Sequence, residues 1–448
     1  MNTPLVVPLA KFGFFLGCAL AAFTEGFAAP GDLDPTFGVG GKVTTSFGHQ
    51  TDSARSLAIQ SDGKILVAGA ASTGGKNEFE IARYSSDGTL DTSFNGVGWV
   101  STSIGLSSGA NTLAVQSDGK IVVGGSSSTG TGNRDDFALA RYNTDGSLDT
   151  SFNGTGSVTT GFTFGADESA ADLALQSNGK IVVVGQSRTA DSGELHFGIA
   201  RYNSDGSLDT SFSGDGIAIT QIGLFDAAQS VAVQSDGKIV VAGTTQVTNG
   251  PPYSFALVRY NTNGTVDFKK TTPVGAGIDN AYSVAVQTDG KIVVAGNSYN
   301  GFTYDFALVR YNADGSLDSS FSGDGKVTTD FTSGTSNDTG YSVAFQTDGK
   351  IVVAGGTDSS FAVARYNIDG SLDTSFSGDG KVSTAFGDSA FGYSVALQSD
   401  GKIVVAGQSG NDFAVVRYEG VPEPSAGVML TGGMLALLGF YRDRKGVA

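Results

Sequence analysis

The chain repeats one short segment seven times, and this limits its possible folds more than any other feature. Ser-Asp-Gly-Lys-Ile-Val-Val-Ala-Gly at 235–243 recurs with its lysine at Lys64, Lys120, Lys180, Lys238, Lys291, Lys350 and Lys402. A second segment, Phe-Ala-Leu-Val-Arg-Tyr at 255–260, recurs with its arginine at Arg83, Arg141, Arg201, Arg259, Arg310, Arg365 and Arg417. Successive arginines lie 58, 60, 58, 51, 55 and 52 residues apart. A unit of that length suits a small sheet and is long for one coil of a solenoid.

Each unit holds four short β segments, here called a, b, c and d. In the fourth unit they are predicted at Ser230–Gln234, Lys238–Gly243, Phe255–Tyr260 and Phe268–Val274. Ser235-Asp236-Gly237 joins a to b, and Asp-Gly is a strong hairpin signal. Ile239 to Ala242 is continuously apolar and does not alternate, so both faces of strand b are expected to be buried. Four-stranded antiparallel blades covered on both faces and repeated seven times predict an all-β, seven-bladed β-propeller. The many turns such a fold needs fit 66 glycines against 9 prolines.

The order of segments predicts how the ring closes. The first strand, Lys42–Phe47, reads as a d strand, and the last, Phe413–Tyr418, reads as a c strand. An N-terminal strand pairing with the last blade would leave no open edge. An aspartate follows six of the arginines by eight residues: Asp91, Asp149, Asp209, Asp267, Asp318 and Asp373. Structural ion pairs such as Arg83–Asp91 and Arg201–Asp209 are therefore expected, because strand c would otherwise bury an unpaired charge. Arg417 has no such follower and Asp34 is left over, so these two are expected to meet.

Leu-Asp-Thr-Ser-Phe and Asp-Gly-Lys, occurring together, make the units resemble the delta-60 repeat of bacterial surface proteins over residues 31–418. Residues 1–28 read as a secretory signal peptide, with Lys11, an apolar stretch from Phe12 to Phe23, and Gly26-Phe27-Ala28 before the cut. Residues 29–420 are then the propeller. The tail, 421–448, contains Pro422-Glu423-Pro424, an apolar segment at 426–441, and Arg442, Arg444 and Lys445. These three parts resemble the PEP-CTERM sorting signal. That resemblance implies transient anchoring in the inner membrane of a Gram-negative, exopolysaccharide-producing cell. It also implies an exosortase-type processing enzyme as partner, and release to the cell surface or extracellular space. A plain C-terminal anchor is the alternative.

A net charge of −17 argues against nucleic acid, whose phosphates need clustered lysine and arginine. Cys18 is the one cysteine, so no disulfide framework or cysteine-based zinc site is available. His49 and His196 fall in different units, so neither a histidine metal cluster nor a Ser-His-Asp triad is expected. Gly105-Leu106-Ser107-Ser108-Gly109 has the letters of a nucleophile elbow but lies between two strands, not between a strand and a helix. No catalytic residue stands out, and the expectation is a protein that is not an enzyme and carries no cofactor. Calcium is the metal considered, at the turn Asn203-Ser204-Asp205-Gly206-Ser207-Leu208-Asp209, although the same residues suit a plain turn.

The a–b and c–d turns are nearly constant between units, whereas the b–c and d–a loops vary. Binding is therefore sought on the b–c and d–a side, where loops sit on a rigid frame. Asp52, Glu168, Asp226, Asp279 and Asp338 recur five positions before the first apolar residue of strand a, and are candidates for an acidic ring around the channel. Tyr253, Tyr299, Phe302 and Tyr304 on two neighbouring b–c loops are candidates for stacking on sugar or protein. The resulting expectation is an exported surface or matrix protein that binds polysaccharide or a surface protein. The alternatives are a calcium-dependent adhesion module and an extracellular polysaccharide hydrolase or lyase.

Overall fold

Strand b of every unit is the centre of a sheet because it is apolar on both faces. Ile239, Val240, Val241 and Ala242 are at most 1% exposed. The computed structural model describes residues 28–420 other than 129–133, 163–166, 189–192, 248–251 and 333–335. The described residues form seven antiparallel sheets of four strands each. Blades 1 to 6 span residues 51–102, 107–160, 168–220, 225–272, 279–329 and 339–384. Blade 7 joins residues 390–418 to Lys42–Thr45.

The chain is a seven-bladed β-propeller closed by its first strand. Lys42, Val43, Thr44 and Thr45 pair with Val416, Val415, Ala414 and Phe413. The strand stops at Thr45, two residues earlier than predicted, and Phe47 turns inward to pack 5.2 Å from both Trp99 and Phe413. Strand a of each blade touches strand a of both neighbours, blade 7 to blade 1 included, so the a strands ring the central channel. Apolar side chains fill the space between blades. Val240, Ala242 and Leu257 of blade 4, for example, pack on Ala281, Val284 and Val294 of blade 5.

Two sets of polar contacts tie each blade to the next. In the first, the arginine of strand c donates from Nε to its aspartate, at 2.7 Å for Arg83–Asp91 and 2.6 Å for Arg417–Asp34. The lysine of the a–b turn reaches the same carboxylate, at 3.0 Å for Lys64–Asp91 and 2.9 Å for Lys402–Asp34. The guanidinium lies over a phenylalanine, 4.7 Å from the ring centre for Arg83 over Phe94 and for Arg417 over Phe37. It also donates to a carbonyl in the following blade. Arg83 reaches Thr144 and Arg417 reaches Ser86, each at 2.5 Å.

Blade 4 keeps this staple on an altered connection. Its d strand, Val266–Thr272, has seven residues, whereas strand d of every other blade has four. Phe268 therefore pairs within the sheet and still sits 4.4 Å from the Arg259 guanidinium. The second set of contacts lines the channel. A hydroxyl in strand a accepts a hydrogen bond from the next blade's backbone, as in Leu113 N to Ser56 Oγ at 3.1 Å and Leu57 N to Ser394 Oγ at 3.1 Å. Blade 3 uses Asp172 in place of the hydroxyl, accepting from Val231 N at 3.0 Å.

The staples make stability acid-sensitive. Burial alone would raise Asp34, but hydrogen bonds from Thr36 and Lys402 and the Arg417 charge outweigh it and hold the carboxyl at about 2. Asp91, Asp149, Asp209, Asp318 and Asp373 are likewise held well below the ordinary range by their lysine, serine and arginine neighbours, against burial. A depressed folded-state value contributes stability that is fully present above the unfolded value of 3.8 and is lost as pH falls below it. The melting temperature should therefore not fall on acidification to about pH 5, and should drop steeply between about pH 4 and pH 2. Circular dichroism melts across that range check this, and a level profile down to pH 2 would refute it.

Candidate functional site

A β-bulge interrupts strand a of every blade. Pairing with strand b slips at Arg55, Asn111, Ala171, Gln229, Tyr282, Tyr341 and Tyr393. A bulge leaves its extra residue out of the ladder and re-aims its side chain. All seven bulge residues line one cavity of about 450 Å³ in the channel, a volume within the usual range for ligand sites. Ser169 and Gln186 also line it, and both lie toward the variable-loop ends of their strands, Glu168–Leu175 and Ile181–Arg188. The cavity thus occupies the half of the channel that faces the variable loops.

The ring of backbones is nearly sevenfold, but the ring of bulge side chains is not. Three successive blades contribute Tyr282, Tyr341 and Tyr393, with ring centres 5.0 and 5.1 Å apart. Arg55 continues the arc, its guanidinium 4.6 Å from the Tyr393 ring centre. Facing them are the amides of Asn111, Gln186 and Gln229, and the small Ala171. Asn111 is held by donating from Nδ2 to Ala170 O at 2.8 Å, which leaves its amide oxygen available. Burial pushes the Tyr282 phenol up to about 12, and also raises Tyr341. Both therefore stay neutral at physiological pH and can donate hydrogen bonds.

The predicted acidic ring is not what the fold builds. Asp52, Glu168, Asp226, Asp279 and Asp338 are at most 1% exposed. Strand a begins earlier than its apolar pattern indicates, at Phe225 and not Ser230 in blade 4, so these acids enter the sheet or sit at its edge. Four of them tie down the incoming d–a loop. Asp226 accepts from Ile222 N at 2.7 Å and Gly223 N at 2.9 Å, and Asp279 accepts from Val274 N at 2.7 Å. Asp338 accepts from Phe331 N at 2.8 Å and Asp52 from Phe47 N at 3.0 Å.

The predicted aromatic cluster separates into parts. Tyr299 and Tyr304 pair within blade 5 at 5.3 Å, and the Tyr299 phenol donates to Gly301 O at 2.9 Å. Tyr253 packs edge-on to Phe225 at 6.3 Å, and Phe302 stands alone at a loop tip, 89% exposed. The turn considered for calcium already uses its oxygens. Asp205 accepts from Ser207 N and Oγ at 3.0 and 2.6 Å, and Asp209 is held by Arg201 and Lys180. Pro422, Glu423, Pro424, Arg442 and Arg444 lie outside the described residues, as do the predicted signal peptide and the apolar segment 426–441.

Among the described residues, two clusters are present that a count of histidines and cysteines misses. Oxygens of Asp305, Asp330 and Asp338 lie within 4.8 Å of one another, and Asn300 Nδ2 and Ser336 Oγ already bond to two of them. The second cluster joins His49, Asp52 and Glu80. His49 Nδ1 is 2.9 Å from Asp52 Oδ1 and 3.2 Å from Glu80 Oε2. Glu80 is fully buried; burial first, and then the Asp52 and Glu78 charges, raise its carboxyl to about 9.

Comparison with known proteins bears on the fold and the family. A family profile described as "Domain of unknown function (DUF5122) beta-propeller" matches residues 60–94, 116–152, 176–212, 234–267, 287–321, 346–376 and 398–420. No curated protein matches the chain. Among solved structures, a catalytically inactive virginiamycin B lyase from Staphylococcus aureus with quinupristin is similar at 11% identity and a TM-score of 0.49. The match covers 84% of this chain and 98% of that one. A polysaccharide lyase is similar at 11% identity and a TM-score of 0.45, over 84% of this chain and 91% of its own. An alpha-L-arabinofuranosidase from Fusarium graminearum with an iminosugar inhibitor is similar at 10% identity and 0.44, over 68% and 91%. These structures correct the expectation that the chain is not an enzyme.

Proposed function

The chain belongs to the DUF5122 β-propeller family, and on that premise we propose that it is an exported protein that binds a saccharide in its central channel. The observation that carries this reading is the arc of Tyr282, Tyr341 and Tyr393 opposite the amides of Asn111, Gln186 and Gln229. Aromatic faces cover the C–H faces of a sugar ring, while amides and phenols match its hydroxyls. Arg55 is the one charged side chain in the lining, placed to take a single carboxylate of an acidic sugar. The ligand enters from the variable-loop side, where Phe302 and the Tyr299–Tyr304 pair flank the approach. Export rests on the apolar N-terminal segment and on the Pro422-Glu423-Pro424 tail with its apolar and basic parts. Their reading as signal peptide and PEP-CTERM sorting signal points to passage through the inner membrane, processing by an exosortase-type enzyme and release to the surface, where exopolysaccharide is at hand.

The test is calorimetric titration of the protein with neutral and uronate-containing oligosaccharides. Tyr341 is the middle of the arc, so Tyr341→Ala removes two ring contacts at once. One lost aromatic contact of about 1.4 kcal/mol corresponds to tenfold in affinity, so tenfold or more is expected. Unchanged affinity in Tyr341→Ala for a saccharide that the parent protein binds would sink the channel as the binding site.

A further inference from the structure

The seven repeats serve as an internal control, and blade 1 departs from the other six at three places that meet in space. Strand c has alanine or glycine after its first phenylalanine in every other blade, at Ala138, Gly198, Ala256, Ala307, Ala362 and Ala414; blade 1 has Glu80. Strand b offers a hydroxyl opposite the buried acid of strand a, as Thr245 to Asp226 and Ser298 to Asp279, each at 2.6 Å. Blade 1 has Ala71 there, paired with Asp52 and carrying no oxygen. His49 occupies the place of that hydroxyl, with Nδ1 2.9 Å from Asp52 Oδ1.

This arrangement costs stability as it stands. Glu80 is fully buried, and neither of its carboxylate oxygens receives a hydrogen bond. A buried carboxyl in place of an alanine, set beside the Asp52 carboxylate, is unfavourable unless something compensates it. The spacings describe what would compensate it. In tetrahedral zinc coordination, bonds of about 2.0 Å put neighbouring ligand atoms about 3.3 Å apart, and in octahedral coordination about 2.9 Å. His49 Nδ1 lies 2.9 Å from Asp52 Oδ1 and 3.2 Å from Glu80 Oε2.

We propose that His49, Asp52 and Glu80 form a binding site for a divalent transition-metal ion, zinc by ligand type. One imidazole nitrogen and two carboxylates suit zinc, nickel or cobalt and not calcium, which takes oxygen ligands alone. Two carboxylates and a divalent cation leave the buried site neutral. The second oxygen of Asp52 stays with Phe47 N at 3.0 Å, which fixes the carboxylate for its role as ligand. The His49 side chain is 15% exposed and gives the ion its way in. The bound ion would link the d–a loop after the closing strand to strands a and c of blade 1.

Trp99 makes the test local. It is the one tryptophan of the chain, and its ring centre lies 5.9 Å from that of His49. The full chain is stripped with a chelator and titrated with Ni²⁺, which quenches tryptophan emission at this distance, and then with competing Zn²⁺. Saturable one-to-one quenching reversed by Zn²⁺ is expected, together with a Zn²⁺-dependent rise in melting temperature. Glu80→Gln and, separately, His49→Ala should weaken Ni²⁺ at least tenfold. Glu80→Gln should melt in chelator no lower than the parent protein, because a neutral amide of the same shape replaces a buried carboxyl set beside Asp52; should it fail to fold, His49→Ala, on a loop, carries the test alone. Absence of quenching and of any melting shift in the parent chain would overturn the proposal, and so would equal Ni²⁺ affinity in the folded variants.

Discussion

Replacing Arg417 with alanine should destabilise the propeller by about 3–5 kcal/mol, the cost of stranding one partner of a buried ion pair. Asp34 is fully buried and, once Arg417 is gone, keeps Lys402 as its one charged partner beside the hydrogen bonds from Thr36. The same change removes the guanidinium from the Phe37 ring and breaks its 2.5 Å bond to Ser86 O of blade 1. Arg417 and Asp34 are 383 residues apart in sequence, so this one staple joins the two ends of the fold. Arg259→Ala is the matched control. Its partner Asp267 is 29% exposed, so water replaces the lost donor, and a clearly smaller loss is expected. Urea denaturation of both variants decides the matter. Equal losses, or a loss under 1 kcal/mol at Arg417, would show that the ring does not depend on this closure.

The closure was legible because it is a matter of counting. Seven b strands, seven c strands and a d strand too early in the chain imply that the first strand completes the last blade. Asp236-Gly237 and its equivalents marked the hairpins because their chemistry is local. Arg417 and Asp34 could be matched because six intact repeats showed what was missing. The lysines of the a–b turns recur just as regularly, yet their sharing of the same aspartates was not legible. Lys64 is 27 residues from Asp91, and only the packed sheet brings them to 3.0 Å. The acids of strand a were misplaced for a different reason. A polar residue at a strand end looks like a loop residue until the fold supplies Thr245 or Ile222 N to satisfy it. The channel site was hidden by the bulges, because Ala-Tyr-Ser at 281–283 reads as ordinary strand. Its trace in the sequence is one position that changes freely, from Arg55 to Asn111 to Tyr341, between neighbours that hardly change.

Those bulges depend on a glycine in strand b, and Gly296→Ala should cost about 3 kcal/mol or more, at the top of the range for overpacking. Gly296 has an ordinary negative-φ backbone, so the constraint is space. A Cβ there would lie 1.9 Å from Asn280 O and 2.8 Å from Phe255 Cζ. The carbonyl lies two residues before Tyr282, in the paired stretch that leads into the bulge, and it cannot move without disturbing the pairing of strands a and b. The same contact recurs around the ring, at 2.0 Å for Gly243 on Ala227 O and 1.8 Å for Gly355 on Thr339 O. Gly290→Ala separates space from conformation. Gly290 has φ +84 in an open turn, where a Cβ meets only Ala313 Cβ at 3.4 Å. Alanine in that left-handed conformation costs about 1–2 kcal/mol. Gly296→Ala should therefore lose more stability than Gly290→Ala and should also weaken saccharide binding, because Tyr282 leaves the arc. If the two variants unfold at the same urea concentration, or if Gly296→Ala binds sugar as tightly as the parent chain, the bulge does not set the channel lining.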